Sequence, residues 1–162
     1  MNTTDLLIKN MEFARARTLG LLDSIEKEPD PQALLSWRPG PGRAHIGWQL
    51  MHVAITEEIY ATERLASQQE PPCKELWPRF RGGSTPDDDV PSVAMIRDVL
   101  KGAREHLLGT LFAIGDDRLD EIPEALRERK LTVRDVFFVL AWHEAHHQGQ
   151  SHLTCNLYKA RR

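Results

Sequence analysis

Cysteine is scarce. Only Cys73 and Cys155 occur among 162 residues, far apart and without CxxC spacing. This argues against a disulfide framework and for a cytoplasmic protein. A net charge of −3 gives no footing for a nucleic-acid partner or a charged membrane surface. No run of about 18 apolar residues is present, so no membrane span is expected. The opening residues MNTTDLLIKNMEF carry Asp5, Lys9 and Glu12 among their apolar positions, which does not fit a signal peptide. Strand-type alternation, internal repeats and low-complexity tracts are also missing. What remains is ordinary globular composition, 41% hydrophobic and 28% charged. The length predicts a single domain over 1–162 that buries roughly 70% of its unfolded surface.

Four helical segments carry the sequence. The first spans about Thr4 to Ser24, with Leu6, Leu7, Met11, Ala14, Thr18, Leu21, Leu22 and Ile25 at three- and four-residue steps. Pro29 and Pro31 end it. After the stiff SWRPGPG turn, the second is expected from about Arg43 to Ser67, with His45 in its first turn. On this helix Glu57, Glu58, Glu63 and Arg64 read as a solvated face. Residues 68–91 form a long connection with five prolines, of the kind that lets two consecutive helices run parallel. Its Asp87-Asp88-Asp89 is expected to complement the positive end of the third helix rather than hold a cation. That helix spans about Ser92 to Ile114 and stops at Gly115. The fourth starts behind Thr132-Val133-Arg134-Asp135, a capping-box variant, and runs to about Lys159. The pattern is all-α, a four-helix bundle.

Four of the seven histidines fall within ten residues. In Trp142-His143-Glu144-Ala145-His146-His147-Gln148-Gly149-Gln150, His143 and His147 are four apart and share the face of Val136 and Leu140. Two neighbouring buried imidazoles repel if charged, and each needs a polar partner. A shared divalent metal meets both needs. The segment is also a literal HExxH, the zinc-peptidase pattern. However, no acid follows His147, and Gln150 and Leu153 replace the glycine and histidine of the extended form. Glu144 lies about 100° around the helix from His143. It is expected at the surface or behind the ligands rather than as a general base.

The third ligand must come from elsewhere. His152 lies about 140° around the helix from His147 and points away. His106 and His45 fit less well than His52, which borders the apolar stripe of the second helix. At about 1.5 Å rise per residue, His52 reaches a height compatible with His143 and His147 whether the two helices run parallel or antiparallel. Three histidines with an open position form a catalytic type of site.

Trp37-Arg38-Pro39 with Ile46-Gly47-Trp48-Gln49-Leu50-Met51-His52 resembles the first signature of the DinB/YfiT-like family of metalloenzymes. Thr132-Val133-Arg134-Asp135 with His143 through Gln150 resembles its second. The similarity covers nearly the whole chain. It implies an up-down-down-up four-helix bundle with the long crossover between helices 2 and 3. It also implies a metal held by His52, His143 and His147, and a homodimer. Similar proteins include thiol-dependent transferases and isomerases. The usually basic position before the glycine is Gln148 here.

The expected function is therefore a metal-dependent transferase, thiol-dependent in one version, or a hydrolase acting on a small molecule. The alternative is a non-catalytic metal- or ligand-binding bundle or dimerisation module. The expected cofactor is a divalent metal, zinc or nickel first and manganese or iron next, with a low-molecular-weight thiol as cosubstrate. Gln150 or His146 would orient the ligands from behind, although His146 also reads as a helix-surface residue. No nucleic-acid or membrane partner is expected, and no residue is singled out as catalytic.

Overall fold

The computed structural model describes residues 2–66 and 71–161. The described residues form helices and connections, with no strand. Helix α1, Thr3–Glu26, is closed at its start by a reciprocal capping box between Asn2 and Asp5. Its buried side chains include Leu7, Met11, Thr18, Leu22 and Ile25, as the periodicity predicts, but Leu6 is exposed. A short helix that the sequence reading did not foresee, α2 at Pro31–Ser36, follows. Asp30 caps it, Pro31 opens it, and Leu34 and Leu35 anchor it in the core.

Helix α3, Ile46–Ile59, starts three residues later than expected. His45 is its cap rather than a residue of its first turn, because the His45 Nδ1 accepts the Trp48 N–H at 3.0 Å. The helix continues as a wider π-helical segment, Tyr60–Leu65. The expected end at Ser67 lies outside the described residues, as do positions 68–70 of the connection. Nearly every residue of α3 is buried, which makes it the central helix.

The connection from residue 71 onward carries a 3₁₀ turn, Lys74–Leu76, that runs into α4, Trp77–Phe80. Asp87, Asp88 and Asp89 do not serve the next helix. Arg79 pairs with Asp87 and Asp89, and Arg38 pairs with Asp88. The His45 Nε2–H donates to the Asp87 carbonyl at 2.9 Å. These bonds clamp the connection over the start of α3. Gly47 permits that closeness, since a Cβ there would meet Val90 at 2.5 Å.

Helix α5, Val93–Ile114, is capped by Ser92 and stopped by Gly115 at φ 77°. Helix α6, Val133–Lys159, begins at the predicted capping box of Thr132 and Asp135. Helix α3 packs on α5 and α6, and α1 packs on α6 and α5. Cys155 is buried in the core, and neither cysteine is bridged. Among the described residues no helix is long and apolar enough to cross a membrane.

Candidate metal centre

The structure brings His52 of α3 against His143 and His147 of α6. One ring nitrogen from each lies within 4.8 Å of the others. Ring centroids are 4.9 Å apart for His52 and His143, 4.8 Å for His52 and His147, and 4.6 Å for His143 and His147. Local order explains the convergence. The i, i+4 spacing stacks the α6 pair. Trp48, one turn before His52, lies flat against its imidazole at 4.6 Å.

Two of the rings have a fixed tautomer. The Nδ1–H of His52 donates to the Phe80 carbonyl at 2.7 Å, and that of His147 donates to Gln49 Oε1 at 2.5 Å. A neutral imidazole that donates from Nδ1 carries its lone pair on Nε2. The Nε2 of His143 stands 3.1 Å from the Nε2 of His52. A tetrahedral zinc site needs neighbouring nitrogens roughly 3.3 Å apart, given its bond lengths of about 2.0–2.1 Å. The three rings therefore fit a divalent metal in donor type, two of them in tautomer and one pair in spacing.

The rings are also held neutral. Desolvation lowers the pKa of His52. Desolvation, then the neighbouring His52 and His146, lowers His143 to about 4. Desolvation, then His143, His52 and His146, lowers His147 to about 3, against the opposing effect of a hydrogen bond to Gln150. Neutral imidazole is the form that ligates metal.

The remaining histidines do not join the three-ring cluster. His146 is exposed, stacked on Trp142 at 5.2 Å and 2.9 Å from the Gln150 amide nitrogen. His106 pairs with Glu58, and His152 is exposed. Gln49 and the Phe80 carbonyl, which support two of the three rings, were not singled out from sequence. Gln49 had one available signal, its position one turn before His52 on the same apolar helix.

The glutamates correct the expectation of solvated positions. Glu57 is 1% exposed, Glu58 2% and Glu144 0%. Glu57 of α3 and Glu144 of α6 meet Arg15 of α1 and Arg104 of α5 in one buried cluster. Arg15 bonds Glu144 at 2.6 Å and Glu57 at 3.0 Å. Arg104 bonds Glu57 at 2.6 Å and Glu144 at 2.5 Å. The arginines also donate to the carbonyls of Leu100 and Met11. Two positive and two negative charges compensate one another, which is the condition for burying any of them. The signal for this cluster was in the sequence: Arg15 and Arg104 stand on the apolar stripes of their own helices.

No curated protein and no solved structure matches the chain. A family model does match it, over residues 10–151, a span that holds all three converging histidines. The chain belongs to the DinB superfamily.

Proposed function

We propose that this protein is a metal-dependent enzyme in which His52, His143 and His147 hold a divalent ion, zinc or nickel before manganese or iron. The observation that carries the reading is the convergence of three desolvated, neutral imidazoles, two of them with Nδ1 already engaged by the protein. Bound there, such an ion polarises a substrate oxygen or lowers the pKa of a bound water or thiol. The reaction class is transfer to a small electrophile, with a low-molecular-weight thiol as cosubstrate, or hydrolysis.

The chain's own residues hold the geometry. Phe80 and Gln49 fix two rings, and the Trp48 indole packs against His52. Gln150 and His146 form a further layer beside His147. Glu144 ties α6 to Arg15 of α1 and Arg104 of α5.

The bundle order we propose is up-down-down-up. Contacts that support it join the start of α1 to the end of α5 through Thr4 and Asp116, and the ends of α1 and α6 through Glu28 and Lys159. A homodimer is proposed as well, supported by the exposed aromatic side chains Phe13, Phe138 and Trp142. The proposed compartment is the cytoplasm.

Metal analysis of untagged protein by mass spectrometry tests the reading, with wild type beside His143→Ala. About one divalent ion per chain in the wild type and none in the variant is the expected result. No metal in either, after exposure to zinc, nickel and manganese, would overturn it.

A further inference from the structure

An open groove of about 370 Å³ lies beside the histidine cluster. Such a volume suits a small molecule. Its lining includes Arg43, Trp48, Gln49, His147, Gln150 and Leu153. His147 and Gln49 belong to the candidate metal centre, so groove and centre are continuous.

The charge of the lining is one-sided. No aspartate or glutamate contributes to it, and Arg43 is its only permanently charged side chain. Nearby arginines are already committed, Arg38 to Asp88 and Arg79 to Asp87 and Asp89. The Arg43 side chain has no hydrogen bond or ion pair among the described residues. Its backbone, by contrast, is fixed. The Arg43 N–H donates to the Gly40 carbonyl at 3.2 Å, and the Arg43 carbonyl accepts from Arg38 at 3.2 Å. The turn is therefore set while the guanidinium keeps its planar fork of donors open.

We propose that this groove takes the substrate, and that the substrate is a small molecule bearing a carboxylate or phosphate, with that oxyanion paired to Arg43. Trp48 and Leu153 offer apolar surface to its body, and Gln49 and Gln150 offer amides on the side of His147. Guanidinium recognises both oxyanions through paired N–H donors. The assignment of this ligand as substrate rests on the metal-dependent reading above.

Binding of three probes tests it. Phenylacetate, phenyl phosphate and the neutral phenylacetamide are titrated into isotope-labelled protein and followed by amide NMR shifts. Wild type, Arg43→Gln and Arg43→Lys are compared, each stripped with a chelator and each loaded with zinc. The expected result is that stripped wild type binds one of the anions about tenfold more tightly than the amide, the scale of a charge-assisted hydrogen bond. The shifts should centre on Ala44, Gln49 and Leu153. Arg43→Gln should abolish the preference, Arg43→Lys should keep part of it, and zinc uptake should be equal in all three. The winning anion separates carboxylate from phosphate.

A preference that survives in Arg43→Gln, appears only with zinc, or is absent altogether overturns the assignment. Failure of the metal reading looks different: the wild type takes up no zinc while its anion preference, and the loss of it in Arg43→Gln, persist.

Discussion

Glu144 follows His143 directly in the chain, yet its carboxylate closes on Arg104 at 2.5 Å in the protein interior. Its other oxygen is held by Arg15 at 2.6 Å. A general base must reach the proton it removes, and here both oxygens are occupied away from the histidine cluster. The literal HExxH is therefore two interleaved devices on one helix, histidines toward α3 and a glutamate toward α1 and α5.

Replacing Glu144 with alanine leaves two buried guanidiniums sharing Glu57. Breaking a buried ion pair from one side costs about 3–5 kcal/mol. Urea denaturation of Glu144→Ala at pH 7 should show a loss of that size, with the folded fraction still taking up metal. A variant that kept wild-type stability while losing turnover would instead make Glu144 a proton-transfer group.

Metal binding should also appear as stability. A ligand that binds only the folded state at about a thousand times its Kd adds about 4 kcal/mol. Zinc at that excess should raise the unfolding midpoint of the wild type and leave those of His52→Ala, His143→Ala and His147→Ala where they were. An equal shift in all four proteins would mean that the ion binds elsewhere.

Much of this architecture was legible in the sequence because it is local. Thr132 and Asp135 announce the start of α6 by cap chemistry, Gly115 announces the end of α5, and the four-residue spacing places His143 over His147. The parts that were missed are tertiary. Periodicity sorted Glu57 and Glu58 to solvent because a helix stripe records polarity, and a buried carboxylate is polar on any scale. Arg15 and Arg104 for Glu57, and His106 for Glu58, all more than 40 residues away in the chain, supply the buried partners. Likewise Asp87 and Asp89 read as helix-end charges until Arg79 is seen to hold them. The histidine triad is legible because three identical donors on or beside apolar faces have few partners other than one another.

Gln49 offers a test of the support behind the ligands. It accepts the Nδ1–H of His147 at 2.5 Å, which fixes the ring so that Nε2 faces the cluster. Loss of such a partner typically weakens metal affinity 10–100-fold. Competition of Gln49→Leu against a chromophoric chelator should give a change of that order with stoichiometry unaltered. Unchanged affinity would show that helix packing alone orients His147.

The pH dependence of the metal-free protein follows from the same burial. Desolvation, with the neighbouring rings, holds His143 at about 4 and His147 at about 3, against 6.5 when unfolded. Above 6.5 both states are neutral and the pair adds no slope. Below it the unfolded chain takes up protons that the folded chain refuses, so stability falls as pH falls, until the folded values near 4 and 3 are reached. Urea midpoints of chelator-treated protein between pH 7.5 and 4.5 should therefore decline toward acid, and less steeply in His143→Gln and His147→Gln. Comparing each variant with wild type cancels Glu58, whose carboxyl is pushed up by burial and titrates in both proteins alike. Each substitution should remove close to one proton from the uptake that accompanies unfolding. Parallel curves for all three proteins would mean that these rings bind protons alike in the folded and unfolded states, so that burial does not hold them neutral toward acid.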